Sequence, residues 1–196
     1  MKSLLAAAAL GLSLSAASFT GAFAADAYKL DPSHSQILFS YDHLGFSTTY
    51  GLISGFDGEM MLDADDISKS SISLKIQLSD LFKTGWAERD AHFLSADFLN
   101  AEANPVASFK STAVEQTGED TAKITGDLTI AGTTKPVTLD AKLNKIGDHP
   151  FNGKSWAGFN ATTTINRADF GVNKFQGVGD TIAITISVEA EKLAGS

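Results

Sequence analysis

The sequence predicts an all-β protein made of antiparallel hairpins. Apolar residues recur with a period of two along several short runs, which suits strands and not helices. Turn-forming Gly, Asn and Asp fall between those runs. The runs follow one another without the spacing of strand–helix–strand units. About eight such runs fit either a two-sheet sandwich or a closed barrel, and periodicity alone does not choose between them.

The chain opens on an address rather than a fold element. Lys2 supplies a short positive region, Leu4 to Leu14 is nearly all Leu and Ala, and Ala22-Phe23-Ala24 gives a small-x-small cleavage pattern. Residues 1–24 therefore read as a cleavable signal peptide, cut after Ala24, and residues 25–196 as one exported domain. The apolar run is too short to span a bilayer, and no Cys stands at the cut to carry a lipid. The composition suggests a bacterial periplasm.

The strands follow in order. Residues 36–42 place Ile37, Phe39 and Tyr41 on one face. Residues 71–79 alternate Ile72, Leu74, Ile76 and Leu78 with polar residues. Residues 80–104 break the period, and Ala87 to Leu94 has helical propensity, so a short helix and irregular crossover are expected there. Residues 122–130 resume the alternation through Ile124, Leu128 and Ile130, and residues 137–143 continue it through Val137, Leu139, Ala141 and Leu143. Residues 157–165 carry Phe159 and Ile165 with small residues between. Residues 181–191 are the clearest strand, with Ile182, Ile184, Ile186, Val188 and Ala190 on one side. Asp57-Gly58, Gly118, Gly132 to Lys135, Gly147-Asp148, Asn152-Gly153 and Gly179-Asp180 mark turns.

Composition excludes several classes of function. A net charge of −8 opposes binding to nucleic-acid phosphates or to an anionic membrane surface. The absence of Cys removes thiolate metal sites, disulfides and a Cys nucleophile. Gly51-Leu52-Ile53-Ser54-Gly55 is not a nucleophile elbow, Gly153-Lys154-Ser155 lacks the upstream glycine of a phosphate loop, and Asp63-Ala64-Asp65-Asp66 lacks the later glycine and glutamate of a calcium loop. His34, His43 and His92 lie on separate segments without metal-ligand spacing, so they read as hydrogen-bonded to loop backbone or to Asp31, Asp42 and Asp90. No metal is expected. Arg89-Asp90 and Arg167-Ala168-Asp169 suggest an arginine–carboxylate cluster tying the crossover to the sheet.

The ordered motifs resemble a known family. Tyr28-Lys29-Leu30-Asp31-Pro32-Ser33-His34-Ser35, Phe39 with His43-Leu44-Gly45-Phe46, Gly51 with Phe56-Asp57-Gly58, Arg89-Asp90-Ala91-His92, Asp97-Phe98, Gly126-Asp127-Leu128-Thr129-Ile130, Thr134-Lys135-Pro136-Val137 and Asn166-Arg167-Ala168-Asp169-Phe170-Gly171 resemble the YceI-like family in order and spacing. The resemblance implies an antiparallel eight-stranded, lipocalin-like barrel with a short helical crossover. It also implies an apolar interior that binds polyisoprenoids, quinone-type lipids or other long-chain amphiphiles, in an exported and often dimeric protein. Phe93, Leu99-Asn100 and Leu52-Ile53 depart from the family's usual residues, which bears on the ligand more than on the fold.

On that reading the interior positions are Ile37, Phe39, Tyr41, Ile72, Leu74, Ile76, Leu128, Phe159, Ile182, Ile184 and Ile186. Phe82, Trp86, Phe93 and Phe98 cap one end, and Ser35, His43, Arg89 and Arg167 are the candidates for contact with a head group. No cofactor is expected beyond the lipid itself. The competing expectation is a hydrolase or isomerase acting on a lipid-like substrate through His34, His43 and Arg89, which requires those side chains to converge at one cavity. A third is a module that presents lipid to a quinone-linked membrane partner.

Overall fold

Two bent strands decide how the sheet closes. The computed structural model describes residues 25–194, so the signal-peptide residues 1–24 lie outside it. Strand β1 (Asp26–Leu30) leads through a single 3-10 turn, Pro32–His34, into β2 (Gln36–His43). Pro32 has no N–H to offer a neighbour, and the Asp31 carboxylate caps the turn by accepting from the Ser33 N–H at 2.9 Å. The same switch recurs between β3 (Ser47–Ser54) and β4 (Asp57–Leu62), where Gly55 takes φ +84° and Phe56 is fully buried. The Gly55 N–H donates to the Ser35 carbonyl, so the two bends are joined.

The remaining strands are β5 (Ser71–Gln77), β6 (Phe82–Lys83), β7 (Val106–Gln116), β8 (Thr121–Ile130), β9 (Thr133–Asp148), β10 (Ser155–Asn166) and β11 (Thr181–Lys192). Helices α1 (Leu78–Leu81) and α2 (Ala87–Leu94) lie in the crossover. All pairings are antiparallel, and the ring β1-β4-β5-β7-β8-β9-β10-β11 closes by pairing β1 with β11. This is an eight-stranded closed barrel. Both halves of the first bent strand lie along β11: Leu30 opposes Ala190, and Ile37 opposes Ile186. Beyond the bend β2 stays paired with β11 and β3 with β2, but β3 pairs onward only with the two-residue β6, and the crossover covers that end.

Closure sets which faces turn inward. On β11 the alternating face from Ile182 to Ala190 points into the barrel, as its period predicts. Strand β9 begins at Thr133, earlier than the expected 137, because Pro136 lies where β9 pairs only with β8 and its missing N–H faces no neighbour. A two-residue turn, Ala131 (φ +49°) and Gly132 (φ +76°), joins β8 to β9 in the left-handed geometry that matches strand twist. Strand β7 carries a bulge between Ser111 and Ala113, so its inward residues change phase from Ala107 and Phe109 to Val114.

The crossover is held by its own polar residues. Thr84, buried, donates its N–H and hydroxyl to Asp90 Oδ1 at 2.6 and 2.5 Å. Arg89 donates from Nε to Thr84 Oγ1 at 2.9 Å and from Nη2 to the Thr84 carbonyl at 2.7 Å. The expected cluster of Arg89-Asp90 with Arg167 and Asp169 does not form. Each arginine is taken up locally, and Asp169 is exposed.

Candidate functional site: an apolar two-chambered interior

Two cavities lie in line inside the barrel. The first, about 180 Å³, occupies the end covered by the crossover and the segment 167–178. It exceeds the ~150 Å³ at which a dry apolar cavity takes up a benzene-sized guest. The second, about 110 Å³, occupies the opposite end, beneath the β7–β8 turn and the segment after β4.

The expected interior residues divide between the cavities. Ile37, Phe39 and Tyr41 of β2, Ile76 of β5, Leu128 of β8, and Ile182 and Ile184 of β11 line the first. Phe82, Phe93 and Phe98 close its crossover end, with Phe82 stacked on Phe39 at 5.1 Å and Phe93 against Phe98 at 4.6 Å between ring centres. Ile72 and Phe159 line the second cavity, and Leu74 and Ile186 line both. Trp86 is a correction: it is 61% exposed and reaches neither cavity. It stands at the N-terminus of α2, where the helix turns its other face inward.

Several lining residues went unread in the sequence. Val137 and Leu139 line the first cavity from the alternating face of β9. Phe109 was hidden by the β7 bulge, which breaks the period two residues later. Phe170, Val172 and Val178 come from irregular backbone and carry no periodic signal.

The polar candidates separate. Arg167 borders the first cavity, yet its guanidinium is committed to backbone: Nε to Gly179 O at 3.2 Å, Nη1 to Val172 O at 2.7 Å, and Nη2 to Phe175 O and Val178 O, both at 2.9 Å. Asp180 adds an ion pair at 2.9 Å. The arginine therefore builds the apolar lid from segment 167–178 and has little left for a head group. Ser35 is fully buried at the β1–β2 bend, its hydroxyl has no protein partner, and it borders neither cavity. His43 is exposed at the far end of β2, and Arg89 is engaged with Thr84. Neither borders a cavity.

The polar groups at a cavity mouth are ones the sequence did not single out. Ser70, Ser71, Gln116, Glu119, Asp120, Thr121 and Asn160 rim the second cavity. Asp120 is paired with Lys142 at 3.4 Å.

The histidines do not meet. His34 and His43 stand at opposite ends of β2, whose seven steps from Gln36 to His43 span about 23 Å at the rise of an extended strand. The His34 ring bonds the Asp31 carboxylate at 2.6 Å. That hydrogen bond, and then the charge of Glu189, raise the His34 pKa above its ordinary value. Burial pushes Asp31 upward, but hydrogen bonds from His34 and Ser33 outweigh it and hold the carboxyl below the usual range. His92 packs edge-on against Phe98 and Phe175, and His149 lies on Trp156. Among the described residues no three His, Asp or Glu side chains gather as a metal site would need.

Comparisons with known proteins agree with this architecture. A UPF0312 protein of Pseudomonas putida (strain W619) is 43% identical over 194 residues, 98% of either chain. The YceI protein of Campylobacter jejuni superimposes with a TM-score of 0.70 at 27% identity, covering 78% of this chain and 90% of its own. A polyisoprenoid binding domain from Saccharophagus degradans superimposes with a TM-score of 0.67, covering 86% of this chain and 99% of its own, and at 13% identity that likeness speaks to the fold alone. The YceI-like domain matches residues 28–190, from the first barrel strand to nearly the last residue of β11, and the chain belongs to the YceI-like family.

Proposed function

We propose that this protein binds a long-chain isoprenoid or similar amphiphile inside its barrel, as a carrier or reservoir and without catalysing a reaction on it. The observation that carries the reading is the pair of apolar cavities aligned along the barrel axis. Each methylene moved from water into such a space contributes roughly 0.8 kcal/mol, and association costs about 4–15 kcal/mol. A chain of some twenty carbons therefore binds without any specific polar contact. The polar rim of the second cavity offers hydrogen bonds for a head group, whereas the first cavity is roofed by Phe170, Val172 and Val178. The family and the polyisoprenoid-binding description of the Saccharophagus degradans domain support the same class of ligand. The dispersal of His34, His43 and Arg89 speaks against a common catalytic centre.

We place the working compartment outside the cytoplasm, on the signal-like residues 1–24. Purification of the mature protein from its native host, solvent extraction and mass spectrometry test both points. A co-purifying prenyl lipid and an N-terminus at Ala25 are expected. An empty preparation that also fails to take up an added prenyl alcohol overturns the binding reading. An intact Met1 in the native protein overturns the export reading.

A further inference from the structure

The two cavities are separated by a single layer of side chains. Leu74 on β5, Phe109 on β7, Leu139 on β9 and Ile186 on β11 line both cavities. Two residues away along each of three strands the lining belongs to one cavity only. Ile76 faces the first and Ile72 the second; Val137 the first and Ala141 the second; Ile184 the first and Val188 the second. Same-face neighbours on a strand lie about 6.6 Å apart, so the shared layer is one residue thick.

Strand β8 shows what fills this layer. Leu128 lines the first cavity and Ile124 the second, which sets Gly126 at the same level as the shared residues. A Cβ at Gly126 would stand 2.4 Å from Phe109 Cζ. The missing side chain lets the Phe109 ring lie across β8, and the ring with three aliphatic side chains makes a waist.

We propose that this waist sets the chain lengths the barrel holds. The inference rests on the lipid-binding reading above and adds a specificity-determining position to it. A short prenyl chain fills the first cavity without crossing the layer. A longer chain is held along its length only by threading between Phe109, Leu74, Leu139 and Ile186, because neither cavity alone accommodates it. Passage through the waist joins the two apolar spaces, and every additional buried methylene then adds to affinity.

The test compares geraniol, two isoprene units, with geranylgeraniol, four units, on the same delipidated mature protein. Leu139→Phe narrows the waist. Its expected signature is a fall of at least about ten-fold in the ratio of geranylgeraniol to geraniol affinity. Phe109→Leu widens the waist and is expected to raise the ratio of long-chain to short-chain affinity by several-fold. Far-UV circular dichroism and cooperative thermal unfolding report that each variant has folded, and the second variant decides the matter if the first does not fold. A long-to-short ratio unchanged in a folded variant overturns the waist while leaving lipid binding intact. Wild-type protein that binds neither alcohol overturns both.

Discussion

At the scale of single residues, polar side chains of this protein serve the backbone around the cavities. Arg167 is buried with its charge, which is costly unless its donors are matched. Four loop carbonyls and Asp180 match them. Arg167→Gln leaves several of those carbonyls without a partner in apolar surroundings, and a loss of roughly 2–4 kcal/mol in urea denaturation is expected. A variant as stable as the parent would mean that water replaces the guanidinium at no cost. The Asp31–His34 pair makes a different prediction, about pH. His34 is raised, so its contribution is whole below the ordinary imidazole value of 6.5 and is lost as pH climbs through the raised value. Asp31 is lowered, so its contribution is whole above the ordinary 3.8 and is lost as pH falls through the lowered value. The pair therefore supports the β1–β2 bend fully between those two pH values. In an NMR titration the His34 ring is expected to titrate above the usual imidazole range, and Asp31→Asn is expected to bring it back down.

At the scale of elements, strands with unbroken alternation were readable and interrupted ones were not. Residues 181–191 announce β11 because one face is continuously aliphatic, and residues 71–79 announce β5 in the same way. Strand β7 shows no continuous period because its bulge shifts the inward face from odd to even positions, which erases the pattern in the sequence while preserving it in space. Strands β1 and β4 are short and each runs into a bend, which no local pattern records. The helix α2 was legible from propensity. Its anchor was not, since Thr84 gives no sign that it will bond both Arg89 and Asp90. Thr84→Val removes the hydroxyl common to those bonds. It is expected to cost about 1–3 kcal/mol and to release α2 locally. Hydrogen exchange should then show faster exchange of α2 amides with β8 and β9 unchanged, and uniform loss of protection would point instead to a global defect.

At the scale of the molecule, barrel closure turns apolar strand faces into a container. The same faces in a sandwich would fill one another and leave no interior to occupy. Here the ring is held open to eight strands while β2, β3 and the crossover cover one end. Occupancy should then feed back on stability, because a ligand that binds only the folded barrel stabilises it by mass action. Delipidated protein given a prenyl alcohol at a hundred times its Kd should gain about 2.7 kcal/mol. For a domain of this size that is roughly 5–11 °C in thermal denaturation. An unchanged transition at saturating alcohol would show that the added chain lies outside the fold.

The sequence by itself determined the strand-rich class, the inward identity of Ile182, Ile184 and Ile186, and the apolar chemistry of whatever fills the interior. Those properties are written locally, in a period of two and in side-chain type. Only the tertiary structure decided that the sheet closes, that Arg167 faces carbonyls rather than a head group, that Trp86 stands outside, and that Phe109 and Gly126 meet at a waist. Each of those depends on partners far apart in the chain, and a contact between distant residues leaves no mark on the spacing of either one.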